Sequence, residues 1–156
     1  MEVILDSIRS IHNVGSIFRT ADAVGVKKIY LCGVTPGPID RFGRPVQQFV
    51  KVSLGAEKYI SWERVENAAR LIDRLKKEGK KIFAVEQARN SVPYHSVRLS
   101  RKSFENTVLV MGEEVKGLPA SLLKCADKIL EIPMRGEKES LNVSVAFGIV
   151  VFHLLH

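Results

Sequence analysis

Gly112 and Gly117 bracket a short loop reading Gly112-Glu113-Glu114-Val115-Lys116-Gly117-Leu118-Pro119. Glycine lets main chain turn sharply or approach a ligand with no side chain in the way. The loop follows a β-branched run, Thr107-Val108-Leu109-Val110-Met111. It therefore belongs at the C-terminal end of a strand, where ligands bind in open α/β sheets. Two more segments share that position: Glu86-Gln87 after Val85, and residues 133–140 after Ile132. None is a phosphate-cradling GxxxxGK[ST], and none is GxGxxG in a first βα turn. A nucleoside triphosphate or a dinucleotide is thus disfavoured. Exposed backbone N–H and C=O groups suit the edge of an adenine, with plain strand-to-helix connections as the alternative of equal weight.

Other chemistry-bearing residues point nowhere in particular. Cys32 and Cys125 are the only cysteines, each in or beside an apolar stretch. Small buried hydrophobe is the better reading for both. His12, His95, His153 and His156 show no HxxxH or HExxH spacing. No metal site is expected, and no Ser/His/Asp arrangement is suggested.

The elements that must position the three loops alternate between strand and helix. Val3-Ile4-Leu5 reads as a first strand. Asn13 reads as a helix N-cap, with Val14, Ile17, Phe18 and Ala21 following at helical spacing and Gly25 closing the helix. Residues 28–32 form a strand, and Thr35-Pro36-Gly37-Pro38 opens a long loop through Arg41, Phe42, Gly43, Arg44 and Pro45. A second helix is expected from near Ser61, with Val65, Ala68, Ala69, Ile72 and Leu75 on one face, ending at Gly79. Residues 81–85, 107–111 and 128–132 read as strands, and residues 119–126 as a short helix. Such alternation implies a parallel α/β sheet in a single domain over residues 1–156.

The last segment, Leu141-Asn142-Val143-Ser144-Val145-Ala146-Phe147-Gly148-Ile149-Val150-Val151-Phe152, is apolar nearly all round a helix. Such a helix asks for burial on all sides. The chain's own sheet covers one face, so a second copy is expected on the other. The run is shorter than the roughly 20 residues that span a bilayer. The N-terminus lacks the pattern of a signal peptide. A cytoplasmic protein without membrane attachment is the expectation. Of the 156 residues, 24 are Lys or Arg and 17 are Asp or Glu, a formal charge of +7. That balance suits a polyanionic partner such as nucleic acid, or simply a basic surface.

Three segments, in order, carry a family resemblance. They are Asn13-Val14-Gly15-Ser16-Ile17-Phe18-Arg19-Thr20-Ala21-Asp22-Ala23-Val24-Gly25; Val110-Met111-Gly112-Glu113-Glu114-Val115-Lys116-Gly117-Leu118-Pro119; and Ile132-Pro133-Met134-Arg135-Gly136 followed by Ser140-Leu141-Asn142-Val143-Ser144-Val145-Ala146. Together they resemble the SpoU/TrmH group of S-adenosylmethionine-dependent RNA 2′-O-methyltransferases, within the SPOUT superfamily. The resemblance implies a parallel-sheet α/β fold with a C-terminal trefoil knot, which sequence pattern alone would never propose. It also implies a homodimer and S-adenosylmethionine bound in the knotted loops, with no metal.

The resemblance assigns roles to particular residues. Arg19 lies beside the reacting ribose and supports the developing oxyanion; Arg stays protonated, so a literal general base is hard to defend. Helical geometry sets Arg19 about 140° from Val14, away from the apolar stripe. Asn13, Glu114, Ser140 and Asn142 complete the catalytic group. Glu114 is placed to orient Arg19 or Asn13, in preference to its neighbour Glu113. Asn142 is also a candidate cap of the last helix. Gly112, Ile132, Ser140 and Leu141 are the expected cofactor contacts, with Val85 and Glu86 as weaker candidates.

RNA binding would then come from this one domain, with no separate RNA-binding domain. Arg41, Arg44 and Lys51, with Phe42 for stacking, form one candidate surface; Arg98, Arg101 and Lys102 form another. Compact relatives favour tRNA over rRNA. The alternatives are an rRNA 2′-O-methyltransferase and a non-catalytic RNA-binding relative of the same fold. A base methyltransferase and an unrelated nucleotide-binding module are more distant rivals.

Overall fold

The computed structural model describes residues 1–156. Seven parallel strands form one sheet: β1 (Glu2–Asp6), β2 (Lys28–Cys32), β3 (Ser61–Val65), β4 (Lys81–Val85), β5 (Val92–Pro93), β6 (Thr107–Met111) and β7 (Lys128–Glu131). Their spatial order is β3-β2-β1-β6-β4-β7-β5. The six helices are α1 (Ile11–Val24), α2 (Gln47–Ser53), α3 (Ala68–Lys77), α4 (Arg101–Glu105), α5 (Ala120–Leu123) and α6 (Val143–Leu155).

Successive strand residues point to opposite faces, and here both faces are covered. Val3, Leu5, Ile29, Leu31, Leu109, Met111 and Leu130 join the core packed with α1, α2 and α6. Ile4, Tyr30, Ile82, Ala84, Val108, Val110 and Ile129 join a second core with α3 and α5. This double covering explains why the strands read as continuous apolar runs. β1 pairs with both β2 and β6, and β4 with both β6 and β7. The C-terminal ends of β6, β4 and β7 therefore lie side by side, which gathers the three ligand-facing loops.

Several local expectations need correction. Ser10, not Asn13, caps α1: its hydroxyl accepts from Asn13 N at 3.2 Å. The helix starts nearly a turn earlier than expected, so the Asn13 side chain is free for other work. Residues 61–65 are an edge strand paired with β2, not the start of a helix. The Asn67 side chain accepts from Arg70 N and starts α3 at Ala68. Val65 continued the apolar spacing of α3 backwards by chance, and pairing with β2 decided the matter. The long loop after β2 contains a helix, α2, held to α1 by an edge-to-face contact of Phe18 with Phe49 at 5.0 Å. Gly15 admits α2 this closely, since a Cβ there would stand 3.0 Å from Val52 Cβ. β5 and α4 were not expected at all; both are too short to show a period.

Gly25 does close α1, in the left-handed conformation with φ 74°. Asn142 does cap α6, accepting from Ser144 N at 2.9 Å. Val143, Phe147, Val150, Val151 and Leu154 of α6 face the core. Its outward side leaves Val145 50%, Phe152 43% and Leu155 37% exposed. No helix is long and apolar enough to cross a membrane.

Candidate active site

A cleft opens across the C-terminal ends of β4, β6 and β7. Val85, Glu86, Gly112, Ile132, Ser140 and Leu141 all line it, joined by Met111, Met134 and Val143. All six residues expected to contact a cofactor thus share one cleft. Its walls are half apolar, and its charged lining consists of Glu86, Glu113, Glu114 and Glu131 against Lys116 alone. Four glutamates against one lysine leave the lining net negative, even with Glu113 paired to Arg9 and Glu86 held by main-chain N–H groups, and that balance disfavours a phosphate.

Three of the five expected catalytic residues form a relay beside the cleft. The Asn13 amide donates to Glu114 Oε1 at 2.9 Å, and Asn142 Nδ2 donates to Asn13 Oδ1 at 3.0 Å. Asn142 Oδ1 in turn accepts from Ser144 N and from the Ser144 hydroxyl. Residues more than a hundred positions apart are tied into one hydrogen-bonded line. Asn13 is only 8% exposed, so both ends of its amide need partners, and both have them. Glu114, not Glu113, takes this place. Burial works to raise the Glu114 carboxyl, but the Asn13 bond and backbone N–H donors at Glu114, Arg9 and Ser10 hold it below the usual carboxylate range. Glu113 instead faces Arg9 at 3.5 Å. Asp6, at the end of β1, is pushed up by burial and by the charge of Glu113.

Ser140 is an exposed part of the cleft wall. Arg19 is exposed on α1 and does not line the cleft of its own chain. No carboxylate of the chain pairs with it. Of the basic surfaces, Phe42 is 66% exposed, but the Arg41 and Arg44 guanidiniums lie 4.7 and 4.9 Å from its ring centroid. Arg44 is also paired with Asp40 at 3.0 Å. The candidate stacking residue is thus exposed and flanked by the two arginines expected beside it. Lys51 is exposed on α2. Arg101 and Lys102 are exposed on α4 and Arg98 is exposed just before it, with Arg101 3.6 Å from Glu105.

Sequence reasoning missed two features. Glu86 is engaged through both oxygens, by Gln87 N and Leu118 N at 2.9 Å each. Gln87 Nε2 donates to Glu139 O at 2.6 Å, tying the β4 loop to the β7 loop. A glycine at 117 was the available hint, because a Cβ there would collide with the Glu86 carboxylate. The chain has no group of three or more His, Cys, Asp or Glu side chains placed to hold a metal ion.

Comparison with known proteins points the same way as the geometry. The SpoU rRNA methylase family matches residues 1–152. The tRNA (guanosine(18)-2′-O)-methyltransferase of Aquifex aeolicus is 33% identical over 150 residues, covering 96% of this chain and 66% of that protein. The AdoMet-bound rRNA methyltransferase structure from Sinorhizobium meliloti is 32% identical with a TM-score of 0.84, covering 98% of this chain and 54% of that one. A structure solved for 2-OH methylation of C/U34 on tRNA is 25% identical with a TM-score of 0.80, covering 98% of this chain and 92% of that one. The chain spans 56–66% of the length of the first curated relatives it matches.

Proposed function

Because the chain belongs to the SpoU rRNA methylase family, we propose that it methylates a ribose 2′-oxygen of RNA with S-adenosylmethionine as donor. The cleft carries this reading: one net-negative, phosphate-averse pocket is lined by every residue expected to hold the cofactor. The donor's adenosine suits the apolar walls and loop backbone around Gly112, Ile132 and Leu141. Its sulfonium supplies an activated methyl group, and its charge suits the carboxylate-rich lining. The chain's own task is the acceptor oxygen.

A ribose hydroxyl is a weak nucleophile, so the site must stabilise negative charge as it develops. Arg19 is the group for this: a permanent cation with a planar fork that also holds a flanking phosphate. The Glu114–Asn13–Asn142 line fixes the start of α1 against the start of α6, and so fixes the helix that carries Arg19. Ser140 supplies a hydroxyl at the cleft wall for substrate or donor. Alignment of the reacting atoms supplies much of the remaining rate.

Arg19 stands outside its own cleft, and α6 presents Val145, Phe152 and Leu155 outward. Both features support a homodimer in which one protomer brings Arg19 to its partner's cleft. The trefoil knot also belongs to this reading. Its support is the family to which the chain belongs. An experimental electron-density trace through residues 86–142 tests the knot.

The preferred substrate is tRNA over rRNA. Support comes from the compact tRNA-related structure, of which this chain covers 92%. The test is incubation with labelled methyl donor and bulk tRNA or rRNA, followed by mapping of the alkaline-resistant ribose, with positions 18 and 34 of tRNA checked first. Label in rRNA alone would reassign the substrate. Binding of RNA without label transfer would make this a non-catalytic relative.

A further inference from the structure

We propose that Glu86 is a positioning residue that shapes the donor cleft through main chain, without itself touching the donor. The proposal rests on the functional reading above. Both carboxylate oxygens are committed: Oε1 accepts from Gln87 N and Oε2 from Leu118 N, each at 2.9 Å. The second bond crosses from the end of β4 to the far end of the loop after β6. That loop is a tight turn, closed by Gly117 N donating to Glu113 O at 3.1 Å. Gly117 has φ 65°, the left-handed region where glycine is at ease. A side chain at 117 would run into the Glu86 carboxylate, and one at Gly112 would meet Leu118 N at 2.7 Å. Gly117 is therefore required by the approach of Glu86, and Gly112 by the closing of the loop's far end onto its start. Glu86 holds the loop down; the two glycines let it lie there.

The consequence is mechanical. Residues 112–117 form one wall of the cleft. Their backbone groups can read a ligand only if the loop keeps its place. The Gln87 bond to Glu139 O steadies the opposite wall, next to Ser140 and Leu141. One dipeptide after β4 thus sets the separation of both walls. Glu86 acts on donor affinity, and Arg19 on the acceptor.

The test compares Glu86→Ala, Glu86→Gln, Gly117→Ala and the Glu86→Ala/Gly117→Ala double variant. Calorimetry with S-adenosylmethionine and amide exchange at Leu118 in the ligand-free protein are the readouts. Glu86→Ala should speed Leu118 exchange, weaken donor affinity about tenfold, raise KM for the donor and leave kcat within about threefold. Glu86→Gln keeps an acceptor oxygen and should recover much of the affinity. Gly117→Ala displaces the carboxylate without removing it and should lose affinity like Glu86→Ala. The double variant should bind no worse than the weaker single variant, because the two changes break one contact.

Unchanged Leu118 exchange and unchanged affinity in Glu86→Ala would overturn the proposal. Additive losses would also overturn it, because Glu86 would then touch the donor independently of the loop. If the wild-type protein binds no donor, the functional reading fails instead, and Leu118 exchange still decides the role of Glu86.

Discussion

Asn13 and Glu114 meet at 2.9 Å across 101 positions of sequence, with the asparagine amide donating to the carboxylate. The bond joins the first turn of α1 to the loop after β6. It has a direction: the amide nitrogen faces Glu114 and the amide oxygen faces Asn142. Only a residue with a donor and an acceptor on one planar group can fill that place. Asn13→Ala should therefore lower stability by about 1–3 kcal/mol, since it strips partners from Glu114 and Asn142. Asn13→Asp should be worse than alanine at neutral pH, because a carboxylate would then face a carboxylate. Urea unfolding of the two variants gives the ranking, and an aspartate variant more stable than the alanine would contradict it.

Arg19 makes the opposite prediction, an effect on rate with none on folding. It is exposed and has no carboxylate partner. Arg19→Ala should leave the unfolding midpoint and the donor affinity unchanged while lowering methyl transfer by about 10²-fold or more. Arg19→Lys keeps the charge and loses the fork, so it should recover part of the rate. Calorimetry and single-turnover label transfer separate these outcomes. Full turnover by the alanine variant would remove Arg19 from the chemistry.

Gly112 tests how tightly the cleft loop is seated. A Cβ at this position would lie 2.7 Å from Leu118 N and 2.8 Å from Gly117 C. Both obstacles are backbone, so no side-chain rotation relieves them. Gly112→Ala should destabilise by about 1–3 kcal/mol as an overpacking change, and it should weaken donor binding by displacing the loop. Normal stability together with normal affinity would show that the loop yields freely.

The sheet was legible because its strands are buried on both faces and bounded by glycine, proline and polar turns. The three loops of the cleft followed directly, since each continues a readable strand. What failed was local or non-local in a particular way. Asn13 looks like a cap because asparagine caps well; the resemblance gave it a second role beside Glu114, and the structure keeps that contact while Ser10 takes the cap. Ser61 to Val65 carries no usable alternation, because this edge strand is half exposed on both faces. Glu86 was visible only as a carboxylate near a strand end; its bond to Leu118 N spans 32 positions.

The outward face of α6 makes a prediction about assembly. Val145, Phe152 and Leu155 are exposed on a helix whose other side is fully buried. A charge in the middle of this stripe should oppose self-association while leaving the protomer folded. Phe152→Asp should sediment as a monomer with a wild-type circular dichroism spectrum. If Arg19 serves the partner's cleft, the monomer should also lose methyl transfer. A variant that remains dimeric would place the interface on another face.

Two carboxylates near the cleft should respond to pH in opposite senses. Glu114 titrates below its ordinary value of 4.5 in the folded chain. Its charged form therefore contributes stability that is present above the unfolded value and lost as the pH falls through the lowered folded value. Asp6 is raised from 3.8, first by burial and then by Glu113. Its contribution is fully present below the unfolded value and is lost as the pH rises through the raised folded one. Glu114→Gln should thus flatten the acid limb of stability below pH 4.5. Asp6→Asn should raise stability near neutrality and change little in strong acid. Both follow from urea midpoints measured from about pH 3 to pH 7. If Glu114→Gln steepens the acid limb, the carboxylate is not held by Asn13 in its charged form. If Asp6→Asn destabilises at neutral pH, burial is not what governs Asp6.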